Sequence, residues 1–157
     1  MSVSGPDAIT TFWNAARRAR PSLPADVPEA WAFGATAEQA DDLLELVSRG
    51  TKTAMASSLW DYETAGDTLP RIGDLSVVLD GRGVPRAVIG TTDVRVIPFD
   101  EVGAEHAFAE GEGERTLCAW REEHERFWRE HSPSVPPFAR DMPVVCERFE
   151  MLYSPGS

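Results

Sequence analysis

The chain has 157 residues, 42% of them hydrophobic, with 15 basic residues against 26 acidic ones and a net charge of −11. That size fits one domain, able to bury about two thirds of the surface its unfolded chain exposes, and no apolar run is long enough to span a bilayer. Gripping long duplex takes a basic face that displaces counterions from many phosphates. The largest basic block here is Arg17-Arg18-Ala19-Arg20, which argues against long nucleic acid and leaves a small ligand or a short single-stranded segment.

Taken in order, the chain opens with Met1-Ser2-Val3-Ser4-Gly5-Pro6-Asp7, which has neither a basic nor an apolar leader region. It therefore reads as a cytoplasmic protein. Residues 6–20 predict a helix, with Pro6 in its first turn and Ile9, Phe12, Trp13, Ala16 and Ala19 at helical spacing. The run from Pro21 to Pro28 stops that helix and crosses as extended chain, and Trp31 and Phe33 are expected as core anchors. Thr36 with Gln39 forms a capping box for a second helix, striped by Ala40, Leu43, Leu44 and Val47 and closed by Gly50.

The next stretch, Gly50 to Tyr62, concentrates the chemistry. The chain contains one lysine, Lys52, against fourteen arginines. Arginine stays protonated, whereas a desolvated lysine can give up its proton near neutral pH and act as base or nucleophile. Hydroxyls at Thr53, Ser57 and Ser58, and the aromatics Trp60 and Tyr62, follow within ten residues and offer donors and a stacking surface. A short strand is expected over 52–58.

Gly66 to Gly73 reads as a loop. Leu75–Leu79, a turn at Asp80–Gly83, and 85–97 form a hairpin with one long arm, in which Gly90 marks a bulge or bend. Phe99 to Ala109 carries a short helix or turn, and Glu110 to Arg115 is acidic and Gly-rich. Thr116 caps a long helix over 116–130 with an inner stripe of Leu117, Trp120, His124 and Phe127; His124 there reads as a core histidine. Ser132 to Pro137 is a Pro/Ser-rich loop, and 144–152 a final strand. Cys118 and Cys146 both read as buried free thiols. His106, His124 and His131 have no metal-ligand spacing, so no metal or other cofactor is expected.

Several separated motifs resemble one family in the right order. They are Gly50-x-Lys52-Thr53-Ala54, Leu59-Trp60-Asp61-Tyr62-Glu63, Gly73-Asp74-Leu75, Ile97-Pro98-Phe99, the run Glu110-Gly111-Glu112-Gly113-x-Arg115-x-Leu117-x-x-Trp120-Arg121-x-x-His124, and Val145-Cys146-Glu147-Arg148-Phe149. Together they resemble the ASCH (activating-signal-cointegrator homology) domain. The resemblance implies an α+β fold, a PUA-like, mostly antiparallel β-barrel flanked by helices, with a cleft between barrel and helices. It also implies a division into residues 1–30, an N-terminal helix and Pro-rich connector, and 31–153, the family domain.

The same resemblance implies RNA or a nucleoside or nucleotide as partner, and some members resemble ribonucleases. A shorter branch hydrolyses N(4)-acylated cytidines with a Lys-x-x-Thr motif and a distant Glu. Carried over, these fall on Lys52 and Glu112, but the threonine position holds Met55, so Thr53, Ser57 or Ser58 would have to supply the hydroxyl.

Two classes of function follow. The first is an RNA- or nucleoside-directed hydrolase, ribonuclease-like or an acylcytidine amidohydrolase. Its catalytic set would be Lys52, Glu112, Thr53 and Ser58, with Ser57, Trp60, Tyr62 and Arg115 binding the ligand. The second is a PUA-like module that binds RNA or a nucleotide without turnover. A close Glu112 would favour the charged form of Lys52 and weaken it as a base.

Overall fold

The structure, a computed structural model, describes residues 5–131 and 137–155. Most of the Ser132–Pro137 loop expected from the sequence lies outside the described residues. Among the described residues five α-helices, α1 (Pro6–Ala19), α2 (Ala37–Ser48), α3 (Leu59–Ala65), α4 (Ala104–Glu110) and α5 (Leu117–His131), and a 3-10 turn (Phe99–Glu101) accompany five strands, β1 (Glu29–Trp31), β2 (Ala54–Ser58), β3 (Leu75–Leu79), β4 (Pro85–Pro98) and β5 (Pro143–Tyr153). The strands form one mixed sheet in the order β1-β3-β4-β5-β2. β2 pairs antiparallel with β5 and β3 antiparallel with β4, while β1 runs parallel to β3. The fold is thus α+β with mostly antiparallel pairing, as expected. No helix among the described residues is long and apolar enough to cross a membrane.

The chain divides into two compact units. The first holds the chain through Gly50, Gly73–Gly90, and the end from Glu150; the second holds Thr51–Ile72 and Thr91–Phe149. In the first unit α1 is an integral part rather than an appendage. Trp13 and Ala16 are fully buried and share a core with Leu23, Val77 and Val88, and the Trp13 indole N–H donates to the Pro24 carbonyl at 3.1 Å. The Pro-rich run therefore folds back along α1, and a buried Trp of this kind is worth about 3–5 kcal/mol against Ala. Thr36 caps α2 by accepting from Gln39 N at 3.1 Å. Gln39 in turn reaches Ala35 N at 2.7 Å, one residue before the cap.

Two details depart from expectation here. β1 is a strand that the sequence did not announce, and its Trp31 is only half-buried while Phe33 is buried. The irregularity in the hairpin lies between Val78 and Leu79, whereas Gly90 pairs in register with Leu75. A Cβ at Gly90 would stand 3.0 Å from a Leu152 methyl, so close packing explains that glycine.

In the second unit a core of Phe99, Val102, Ala107, Trp120, Trp128, Phe138, Met142, Val144 and Cys146 forms beside β2 and β5. On α5 the buried residues are Trp120 and Trp128, and Phe127, expected on the inner stripe, is exposed. The stripe is turned by one position because Trp128 packs on Phe99 and Phe138. Cys146 is buried as expected, but Cys118 is exposed.

Candidate active site

All the residues that follow belong to the second unit. Lys52 and Thr53 precede β2 rather than lying in it. Backbone bonds fix them: Thr53 N donates to Ala109 O at 2.8 Å, and Phe149 N donates to Thr53 O at 3.0 Å. The C-terminal end of α4 thus lies directly on the 51–53 segment. Gly111, which ends that helix at φ +72°, is what permits the approach, because a Cβ there would stand 2.4 Å from Thr51 O. Left-handed backbone and lack of space both demand glycine at this point.

This contact brings together two residues sixty apart in sequence. Lys52 Nζ donates to Glu112 Oε2 at 2.6 Å, and also to the carbonyls of Ala54 at 2.9 Å and Glu110 at 3.3 Å. These contacts suffice to use all three N–H donors of an ammonium group. Lys52 is 2% exposed, whereas the Glu112 side chain is 27% exposed. The carboxylate is therefore the member of the pair that faces outward, and the lysine stands behind it as a fixed positive charge.

Behind this pair lies a second carboxylate that the sequence reading passed over. Glu110 is 1% exposed. Its Oε2 accepts from His106 Nε2 and from the Trp120 indole N–H, both at 2.6 Å, and its Oε1 accepts from His124 Nε2 at 3.0 Å. Burial pushes its pKa up, but the hydrogen bonds from His106 and His124, with the positive charges of His124 and Lys52, outweigh that and hold the carboxyl well below the usual range. His124 is shifted the other way. Burial lowers its pKa, and the hydrogen bond and charge of Glu110, the charge of Glu112 and the Trp120 carbonyl outweigh it, for a net rise.

Both ring nitrogens of His124 face acceptors, since Nδ1 lies 2.9 Å from Trp120 O. Only the imidazolium can donate to both. The Trp120 ring stacks on it at 4.3 Å between centroids, as a cation and an aromatic face prefer. His124 is thus a hydrogen-bonded histidine of the helix's inner face, consistent with the core reading, and an ion-paired one. The signal for this cluster was the spacing of His106 with Glu110 and of Trp120 with His124, each four residues apart and so on one helix face. Among the described residues no group of three or more His, Cys, Asp or Glu side chains is placed to hold a metal ion.

The remaining expected residues are distributed unevenly. Thr53 is exposed, and its hydroxyl points at Ala109 O, 3.3 Å away. Ser57 is half-buried on β2, opposite Val145. Ser58 is fully buried, with its hydroxyl donating to Met142 Sδ at 3.2 Å, so it faces the core rather than a ligand. Trp60 and Tyr62 lie on the short helix α3, with Trp60 packed against the core cluster. Arg115 is held beside the pair by its own bonds to Phe108 O at 3.0 Å and Thr51 O at 3.4 Å. Met55 pairs with Glu147 across β2 and β5, and Glu147 accepts from Thr91 Oγ1 at 2.6 Å.

A mixed sheet with mostly antiparallel pairing, helices beside it, and a Lys–Glu pair between the start of β2 and the end of α4 define a PUA-like α+β protein. The chain belongs to the ASCH domain family, whose model matches residues 29–153. It is similar in structure to an ASCH domain from Lactobacillus crispatus JV V101, with a TM-score of 0.85 at 28% identity over 94% of this chain and 96% of that one. It is also similar to protein EF3133 from Enterococcus faecalis V583, with a TM-score of 0.83 at 37% identity over 91% of this chain and 86% of that one. No curated protein matches the chain. Family and fold are consistent with RNA binding.

Proposed function

We propose that this protein is a hydrolase directed at short single-stranded RNA or nucleotides, in which Glu112 rather than Lys52 is the group that handles the proton. The observation that carries this reading is the 2.6 Å contact between a 2% exposed Lys52 and a 27% exposed Glu112. Glu112 takes the proton of a ribose 2′-hydroxyl or a water, whose oxygen attacks the ester phosphorus as the bond from phosphorus to the leaving oxygen breaks. The leaving oxygen takes up a proton from Glu112 or from solvent. Lys52 supplies a fixed positive charge next to the developing negative charge. The saturated ammonium favours a second reading, the same site as a binding module without turnover. An acylcytidine activity is the least supported, because Met55 offers no hydroxyl at the position where that branch has threonine.

The test is incubation of short single-stranded RNA, nucleotides and N(4)-acetylcytidine with the wild-type protein and Glu112→Gln, which keeps the shape of the side chain. Cleavage of RNA or nucleotide that falls about a hundredfold or more in Glu112→Gln, the range for a positioned acid or base, supports the hydrolase. Binding with no product in either protein supports the module. Acetylcytidine turnover is expected to be absent in the wild type and to appear, if at all, in Met55→Thr; strong wild-type turnover of acetylcytidine would instead make the amidohydrolase reading the right one.

A further inference from the structure

We infer that Phe108 and Arg115 form a stacking platform for one unpaired nucleobase, beside the Lys52–Glu112 pair; this rests on the RNA or nucleotide reading above and specifies which part of the ligand is recognised there. Phe108 is 57% exposed, and a single exposed phenylalanine is by itself unremarkable on a protein surface. Its surroundings set it apart. The Arg115 guanidinium lies over the ring with its central carbon 3.6 Å from the centroid. That guanidinium is fixed by donating to two main-chain carbonyls, Phe108 O at 3.0 Å and Thr51 O at 3.4 Å. Thr51 immediately precedes Lys52, so platform and ion pair share one backbone segment.

Arg115 is also the one non-glycine residue with positive φ among the described residues, at +61°. An L-residue in that region costs about 1–2 kcal/mol, and such strain gathers where a side chain must be aimed for function. A guanidinium held over the ring by two main-chain carbonyls is positioned before any ligand arrives, so little entropy is lost on binding. What it offers is a flat π surface next to a positive charge, in a chain of net charge −11. A base stacks on such a surface whatever its identity, and its phosphate tolerates the neighbouring guanidinium. Bases within a duplex have their faces covered, which selects unpaired ones.

The experiment is fluorescence anisotropy with labelled single-stranded adenine and uracil hexamers and a fully paired RNA duplex long enough to stay annealed, to which little binding is expected, using the intact protein. Phe108→Ala is expected to weaken single-strand binding about 5- to 150-fold, the effect of losing one base–aromatic stack. Phe108→Trp keeps or tightens binding, Phe108→Leu weakens it, and the losses are larger for adenine, which stacks better, than for uracil. Arg115→Lys keeps the charge, loses the guanidinium held over the ring and weakens binding as well. A melting curve for each variant checks that it is folded.

If Phe108→Ala and Phe108→Leu bind like the wild type while Glu112→Gln alters cleavage, the platform is wrong and the hydrolase reading stands. If the wild type binds no single strand, the platform falls; the hydrolase reading falls with it only if the wild type also cleaves neither RNA nor nucleotide. Loss of self-association in Phe108→Ala with RNA affinity unchanged would assign the face to a contact between copies of this chain and overturn the platform.

Discussion

Replacing Glu110 by Gln removes one charge from the most buried carboxylate among the described residues of the second unit and leaves its volume nearly unchanged. The carboxylate accepts three hydrogen bonds, two at Oε2 and one at Oε1. A glutamine keeps one accepting oxygen and turns an NH2 toward a group that is itself a donor. It also leaves His124 without its counter-charge. Breaking a buried ion pair from one side costs about 3–5 kcal/mol, which for a chain of this length corresponds to about 6–20 °C in Tm.

The pH dependence carries a definite sign. Glu110 is held below its ordinary value of 4.5, so its contribution is fully present above pH 4.5 and is lost as pH falls below that. His124 is raised above its ordinary 6.5, so its contribution is present below pH 6.5 and is lost as pH rises through the folded value. The stability gap between wild type and Glu110→Gln is therefore widest between pH 4.5 and 6.5 and narrows on both sides. Urea unfolding followed by circular dichroism at pH values below, within and above that window measures it. A loss under about 1 kcal/mol, or a gap that stays constant with pH, would refute the ion-pair account of this cluster.

Gly111→Ala should destabilise more than Gly66→Ala, although both sites have φ +72°, because a Cβ at 111 would stand 2.4 Å from Thr51 O and one at 66 meets nothing within 4 Å. The second change is expected to cost about 1–2 kcal/mol of backbone strain and leave any activity intact, while the first should also reduce activity by displacing Lys52 from Glu112; equal melting shifts would contradict this. For the cysteines, a thiol reagent on the native protein should titrate Cys118 promptly and Cys146 only after unfolding. Burial, with the charge of Glu110, pushes the Cys146 thiol up to about 12, so rapid reaction of two thiols in the native state would be inconsistent with this core.

Features with local causes were legible in the sequence. The cap at Thr36, the turn at Asp80–Gly83 and the stripe Ala40, Leu44, Val47 each depend on residues within a few positions of one another, and each appears in the structure. β1 did not, because its three residues become a strand only by pairing with β3, some 47 positions on. The aromatic run at Leu59–Tyr62 gave no helical signal, yet it forms α3, ended by Gly66 in left-handed conformation. The Lys52–Glu112 pair was reached through the family resemblance, since nothing local links residues so far apart. Glu110 was obscured by its neighbours: in a run of acids and glycines, only the helical spacing to His106 distinguishes the buried acid from the solvated ones.

The chain uses arginine for every basic position but one, and the surroundings of Lys52 show why that position differs. An ammonium nitrogen directs its three hydrogens along diverging tetrahedral directions, and Ala54 O, Glu110 O and Glu112 Oε2 stand around Nζ to receive them. A guanidinium spreads five hydrogens in a single plane and is far bulkier at its tip. That larger tip would have to fit where Lys52 is 2% exposed. The bias in composition therefore ends where three acceptors converge on one small buried tip: it is the compactness of the cation, more than its capacity to lose a proton, that this backbone selects.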